Sequence, residues 1–338
     1  MGISLVTGAT GFLGSHIVDR LVERGETVRA LVRETSDTSY LQSKGIDFAE
    51  GDVTIPLTLG AAMKGVDTVY HAAATVTDWA PWSDFQSVTV EGTQNVFSAA
   101  VSDGVRRVLH VSSDAVYALS ALKDVVTEES PLEKRFGWLD YYRRSKSVAE
   151  STARRFMQGG NVEVSIVRPG LLLGERDRAI FPGTVAFLRG GSATYIGSGH
   201  NRLPYVYAGD VAEACIQSAT SDAGAGGIYN VASEETVTQR DIFDTIAEET
   251  GLRPPKRSMP TRLVYTIALA MEALSIATGR RNRPSMTRYG VNILALDYRE
   301  DVSKAKRALG WEPTVPLKEA IRRTMEWRES HRAVPAGG

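Results

Sequence analysis

Apolar residues in the first half of the chain follow two alternating rhythms. Short apolar-rich runs at residues 3–7, 27–32, 47–50, 68–71, 107–112 and 163–167 have the length and flanking turn residues of strands buried in a sheet. Between them, apolar positions recur every three or four residues, which predicts helices over 12–24, 83–102 and 141–158. In the second of these, Val88, Val90, Val96, Phe97 and Ala100 mark a face that covers the sheet or a subunit contact. Strands alternating with helices imply a parallel sheet covered on both faces. The expected fold is therefore α/β, a Rossmann-type doubly wound sheet over residues 1–170. After Arg168-Pro169-Gly170 the rhythm breaks into glycine-rich turns and shorter elements, where a smaller α/β lobe is expected from 171–203 and 233–330. Residues 204–232, with a helix at 211–219 and a strand at 228–231, are expected to return to the first sheet. Helices at 239–250 and 317–329 close the lobe, and 331–338 reads as a tail.

Composition narrows this picture modestly. The chain has 338 residues, is 43% hydrophobic and carries a formal net charge of −1, which gives no electrostatic ground for nucleic-acid binding. Its one cysteine, Cys215, excludes an internal disulfide framework, and the five histidines lack metal-ligand spacing, so no metal is assigned. The first strand begins at once with no basic leader, from which a cytoplasmic location is expected. Residues 263–279 are apolar except for Glu272 and are flanked by Arg262 and Arg280. That is slightly short, and charged near its middle, for a membrane span; the preferred reading is a helix buried against the second lobe, the alternative contact with a lipid surface.

Candidate chemistry begins at the first turn. Gly8-x-x-Gly11-x-x-Gly14 follows a strand and opens a helix, an arrangement that lets backbone amides and the positive helix end meet a pyrophosphate. Further along, Tyr142 and Lys146 stand four residues apart, one turn along a helix on the same face. A neighbouring ammonium is expected to draw a phenol down from its ordinary value of about 10 towards working pH, which suits acid–base catalysis. The pair lies downstream of Val111-Ser112-Ser113-Asp114-Ala115-Val116-Tyr117, where a strand ends in hydroxyls at the sheet edge that binds ligands.

These residues, with Gly51-Asp52-Val53, His71-Ala72-Ala73-Ala74, Arg168-Pro169-Gly170, Tyr229-Asn230-Val231-Ala232 and the stretch from Ala305 to Pro313, resemble the extended short-chain dehydrogenases/reductases, also called NAD-dependent epimerases/dehydratases. The resemblance covers nearly the whole chain. It implies Tyr142 as general acid/base, Lys146 on the nicotinamide ribose and Ser113, rather than Ser112, holding the substrate oxygen. It further implies cofactor contacts at Gly8, Thr10, Gly11, Phe12, Leu13 and Gly14, at Asp52 and Val53 beside the adenine, at Ala72 and Ala73 along the ribose, and at Pro169 near the carboxamide. A homodimer through the two long helices is a family expectation. One departure stands out: the usual Asn-Val-x-Gly-Thr reads Thr89-Val-Glu-Gly-Thr93, and Thr89 is expected to compensate partly by bonding to the helix backbone.

What the motifs lack bears on cofactor and substrate. The second strand ends Ala30-Leu-Val-Arg33 with no acid to grip ribose hydroxyls, so Arg33 is expected to favour NADP(H), although an arginine there can also stack on adenine in an NAD(H) enzyme. Within the family the nearest resemblance is to the 3β-hydroxysteroid dehydrogenase-like and dihydroflavonol reductase-like branch, including the segment from Ala74 to Trp82 and Leu203-Pro204 ahead of Tyr205-Val206-Tyr207. That branch implies an apolar secondary alcohol or its ketone as substrate, in a pocket built from Trp79, Trp82, Phe136, Trp138 and Tyr195. Two alternatives stay open. One is a sugar-nucleotide epimerase or dehydratase with tightly bound NAD, using Arg202, Arg253 or Arg283 on phosphate; the other is a non-catalytic nucleotide-sensing relative.

Overall fold

The computed structural model describes residues 2–191, 193–279 and 282–332. Six strands of the main sheet come in chain order with helices between: β1 (Ile3–Thr7), β2 (Thr27–Val32), β3 (Asp47–Glu50), β4 (Val66–His71), β5 (Arg107–Val111) and β6 (Glu163–Pro169). A seventh, β7 (Ile228–Val231), comes from far along the chain and pairs in parallel with β6. The resulting sheet runs β7-β6-β5-β4-β1-β2-β3, parallel throughout. Its order reverses between β1 and β4, and a doubly wound sheet opens its ligand crevice where that happens.

Helices α1 (Phe12–Glu23), α2 (Gly92–Ser102), α3 (Tyr141–Gly159) and α4 (Ala208–Thr220) cover the sheet. Two apolar layers result. One joins Ile17, Val18 and Leu21 of α1 with Val211, Cys215 and Ile216 of α4 over the β-strands; the other joins Val96, Phe97 and Ala100 of α2 with Ala153 of α3. Burial of the Cys215 thiol pushes it well above its ordinary range, so it is an inert core group. Arg107 at the start of β5 ties the layers together: it bonds Glu163 at 2.5 Å, the carbonyls of Ala219 and Thr220 at 3.0 and 2.8 Å, and Asp222 at 2.8 Å. A cation on the last carbonyls of α4 also opposes the negative helix end.

The expected helix over 83–102 is not one regular helix. Residues Phe85–Glu91 form a π-helical turn that runs directly into α2. Thr89 occupies that turn, and its hydroxyl accepts the Thr75 N–H at 2.9 Å, so it fastens the turn to the loop after β4 rather than to its own helix backbone. A π turn widens a helix by one residue and is common beside functional sites.

The second lobe has its own core, with Phe181, Leu188, Tyr195, Phe243, Ile246 and Ile321 among its buried residues. Helices α5 (Thr261–Ala277) and α6 (Arg288–Ala295) lie beside it. Burial of α5 is limited to one stripe. Val264 and Ala268 pack with Val291 of α6, and Glu272 is held by Arg288 at 2.6 Å, while Leu263, Ile267, Leu274 and Ile276 stay exposed. The expectation of a helix buried against the lobe thus holds for only one of its faces. Among the described residues no helix is long and apolar enough to cross a membrane. Arg280 and residues 333–338 of the expected tail lie outside the described residues.

Candidate active site

The glycine loop is shaped by backbone approach. Gly8 has φ +69°, and a Cβ there would stand 2.8 Å from the Ala73 amide nitrogen. A Cβ on Gly14 would stand 2.1 Å from the Gly8 carbonyl oxygen, a separation no real side chain tolerates. Gly11 caps α1 in extended conformation, with no side-chain cap and no acid in the first turn, which leaves the leading amides for an outside acceptor. Arg178 reaches the Thr10 carbonyl at 3.5 Å, and Phe12 meets His16 edge to face, while Phe12 and Leu13 are half-buried. The Ala72 amide donates to the Thr7 carbonyl and the Ala73 amide to the Thr7 hydroxyl, which brings both alanines against Gly8.

At the ends of the outer strands the arrangement is more open. One oxygen of Asp52 accepts from the amide and hydroxyl of Thr54, both at 2.8 Å, and Val53 is buried with its carbonyl held by Asn95. Arg33 is exposed, and its side chain makes no ion pair among the described residues. Pro169 closes β6, next to Gly170, whose amide donates to the Val231 carbonyl.

The acid–base candidates converge where β5 ends and α3 begins. Ser113 follows β5 in extended conformation and accepts the Ala115 amide at 3.2 Å. Tyr142, in the first turn of α3, packs edge-on against Tyr289 of α6 at 5.5 Å between centroids. Burial pushes the Tyr142 phenol up to about 12, and the Ser113 hydroxyl draws it down against that rise. The lowering by Lys146 that the sequence suggests is not what the fold produces. Lys146 donates to the Val111 carbonyl at 3.0 Å, and its own burial lowers it to about 8, with Glu150 acting in the opposite sense. Desolvation outweighs pairwise charge at both groups.

Beneath them lies a buried polar network. Ser112 donates to Glu150 at 2.6 Å, and the Arg168 guanidinium grips the same carboxylate through two bonds of 2.6 and 2.9 Å and the Tyr117 hydroxyl at 2.7 Å. Ser112 is therefore committed to structure, while the Ser113 hydroxyl donates to Asp114 at 3.0 Å and acts on the Tyr142 phenol. Next to this network, His71 is held between Thr7 at 2.8 Å and Thr93 at 3.0 Å, and burial lowers it to about 3.

Three neighbours of the site are given no role by the motifs: Asp114, Tyr289 and Tyr298. Asp114 accepts from the Ser113 hydroxyl at 3.0 Å and from the Tyr298 hydroxyl at 2.6 Å. Asp114 adjoins Ser113 in the motif and could have been singled out for that reason. Nothing in linear spacing points to two tyrosines more than 140 residues downstream. Among the described residues no group of three or more His, Cys, Asp or Glu is arranged to hold a metal ion.

The profile of the NAD dependent epimerase/dehydratase family matches residues 4–232. The chain belongs to that family. It is 31% identical to a putative dihydroflavonol 4-reductase of Synechocystis sp. (strain ATCC 27184 / PCC 6803 / Kazusa), over 96% of this chain and 94% of that protein. The solved structure of gox2253 is 30% identical and superposes with TM-score 0.82, covering 99% of this chain and all of the other. MoeE5, solved with UDP-glucuronic acid and NAD and again with UDP-glucose and NAD, is 26% identical, with TM-scores of 0.73 and 0.74 over 98% of this chain and all of the other. Family members of this kind are NAD(P)-dependent oxidoreductases and epimerases. The relatives are spread over several branches, so they do not single out the 3β-hydroxysteroid dehydrogenase-like or dihydroflavonol reductase-like one.

Two expectations are corrected. NADP(H) preference through Arg33 is overturned by the NAD in the MoeE5 structures. An exposed arginine at this position can equally lie on the adenine without selecting a 2′-phosphate. The small apolar alcohol or ketone is overturned by the UDP-sugars in the same structures. Of the aromatics expected to build an apolar pocket, Tyr195 is instead buried in the core of the second lobe with its hydroxyl on Asp244, Trp82 packs on Tyr141 under Arg144, and Trp138 is exposed beneath Arg288. The approach to Tyr289 is polar, where Arg283 pairs with Asp78 and Thr287 donates to the same carboxylate.

Gly14→Ala should cost about 1–3 kcal/mol through overpacking. Calorimetric titration should show NAD binding weakened tenfold or more, because the loop can admit the methyl only by moving Gly8.

Proposed function

We propose that the protein is an NAD(H)-dependent enzyme that removes hydride from a secondary alcohol of a nucleoside-diphosphate sugar and returns it within one catalytic cycle, as epimerases and dehydratases do. The observation that carries this reading is the meeting of Ser113, Tyr142 and Lys146 at the carboxyl edge of β5, beside a glycine loop too tight for a side chain. MoeE5, with UDP-sugar and NAD on the same fold, supports the substrate class.

Gly8, Thr10, Gly11, Phe12, Leu13 and Gly14 would hold the pyrophosphate, with Asp52, Val53, Ala72 and Ala73 along the adenosine, and Tyr142, Lys146 and Pro169 around the nicotinamide end. The cofactor, when bound, supplies the site that accepts and returns hydride. Tyr142 takes the proton of the substrate hydroxyl during oxidation and returns it during reduction. Ser113 donates to the same oxygen as its charge changes. Lys146 holds ribose hydroxyls and places positive charge near the phenol. Of the arginines available for a diphosphate, Arg202 is paired with Asp297 and Asp124 and Arg283 with Asp78, so binding there would exchange one anion for another.

The test is to denature purified protein, identify any released nucleotide by mass, and titrate fresh protein with UDP-glucose and UDP-glucuronic acid. NAD released at close to one per chain, together with saturable UDP-sugar binding, is the expected result. An empty site that takes up NADPH in preference to NADH and ignores both sugars would overturn the reading.

A further inference from the structure

We propose that α5 docks this protein on an anionic lipid surface, lying along the bilayer with its outer apolar face among the headgroups and basic side chains beside it on the lipid phosphates. This face takes no part in the catalytic site, so the docking is independent of what the enzyme turns over.

The outer face of α5 is uncharged along almost its whole length. A helix on a protein surface ordinarily turns charged residues to water. From Leu263 to Gly279 the one charged side chain is Glu272, and it is buried on the inner side, paired with Arg288. Outward, Leu263, Ile267, Ala270 and Leu274 recur every three or four residues and form one stripe, flanked by Leu269 and Ile276. Leu263 is 50% and Leu274 58% exposed, and five of the thirteen large apolar side chains exposed among the described residues lie on this helix. A single exposed leucine is ordinary, whereas a contiguous uncharged run marks a surface that something covers.

Charge identifies what covers it. Residues 250–296 contain eight lysines and arginines and one acid, the buried Glu272, in a chain whose formal net charge is −1. Four of the eight, Arg253, Lys256, Arg257 and Arg262, come just before or at the first turn of α5. All four are exposed, and none forms an ion pair among the described residues. Arg280, Arg281 and Arg283 follow the helix in the sequence. An apolar stripe between two basic clusters is the complement of a bilayer surface that carries negative headgroups over hydrocarbon. A second copy docked through the same face fits less well. Parallel helices would set the four leading basic residues against the same four, and antiparallel helices would set them against the trailing arginines.

The helix is built to lie on such a surface and not to cross it. Its 17 residues span about 25 Å, less than the hydrocarbon core of about 30 Å, and Val264, Ala268 and Glu272 hold its inner side on α6. α5 meets the catalytic phenol only through α6, whose Tyr289 packs on Tyr142. Substitutions confined to the outer face therefore leave the cofactor loop and Tyr142 as they are.

Flotation of the full chain with vesicles tests the proposal. Wild type should float with vesicles of phosphatidylglycerol and phosphatidylcholine in equal parts, and far less with phosphatidylcholine alone or at high salt. Ile267→Ser with Leu274→Ser removes apolar contact without changing charge, and should weaken binding to the mixed vesicles at least tenfold. Arg257→Gln with Arg262→Gln should also weaken it at least tenfold, since each basic side chain near an anionic surface contributes roughly fivefold. Both double variants should keep the wild-type NAD affinity and melting temperature, which shows that the loss is not one of folding. Wild type that stays unbound on the mixed vesicles at low salt would overturn the proposal. So would equal binding to both kinds of vesicle, or binding that survives both double variants. Sedimentation supplies the last arm: a wild-type dimer that Ile267→Ser with Leu274→Ser converts to monomer, without vesicle binding by either, would make the face a subunit contact and overturn the lipid assignment.

Discussion

Replacing Tyr142 by phenylalanine should lower kcat by about 10²–10⁴-fold while leaving NAD affinity and the melting temperature close to wild type. The substitution removes one oxygen and keeps the ring. The edge-on contact with Tyr289 and the packing of the first turn of α3 therefore survive. What is lost is the group that exchanges a proton with the substrate oxygen at the edge of β5. Steady-state kinetics with a UDP-sugar, beside calorimetric titration with NAD, separates the two effects. Unchanged turnover would remove Tyr142 from the mechanism and return the protein to the class of nucleotide-sensing relatives.

Arg168→Met should cost a large part of the fold's stability, on the order of 3–5 kcal/mol in a denaturant titration. Arg168 is fully buried and gives four hydrogen bonds, two to Glu150, one to the Tyr117 hydroxyl and one to the Glu128 carbonyl. Removing it strands a buried carboxylate that Ser112 and Arg154 only partly satisfy. The double variant Arg168→Met with Glu150→Leu should recover much of the loss, since no unpaired charge is then left inside. The pair also couples stability to pH. Burial alone would raise Glu150, but Arg168 and Ser112 hold it below the ordinary carboxylate value. A depressed carboxyl contributes stability that is complete above its unfolded value of about 4.3 and is lost as pH falls through the folded value. The wild-type unfolding midpoint should therefore drop on acidification below about pH 4, and the double variant should drop less.

How much of this was legible in the sequence depends on the range of the interaction that decides each feature. Most strands of the sheet were recognisable from their own apolar runs, because a strand buried on both faces announces itself locally, although β3 is largely exposed; β4 begins two residues earlier and β6 ends two residues later than their patterns suggest. The glycine loop and the Tyr142/Lys146 spacing were legible for the same reason, each being contained within one turn and one element. The π turn was not, because Thr89 acts through the Thr75 amide on another segment. The aromatic pocket failed on similar grounds. Tyr195 and Trp138 are both aromatic in sequence, but one is sealed in the second lobe and the other faces solvent, which tertiary packing alone decides. The direction of the Tyr142 shift was misjudged because a neighbouring charge can be counted along a helix and desolvation cannot.

The position of β7 bears on how the chain is made. When residue 170 leaves the ribosome, β6 is an open edge and the face of the sheet that α4 will cover is bare. About 60 further residues, through Val231, must be translated before β7 can pair with Ile166–Pro169 and the Arg107 side chain can find the end of α4. At roughly 5–20 residues per second this takes about 3–12 s. During that interval the nascent chain presents an unpaired parallel edge and, further along the same sheet, the uncovered apolar face of α1 at Ile17, Val18 and Leu21, surfaces that invite chaperones. The first 170 residues, made alone, would keep it indefinitely.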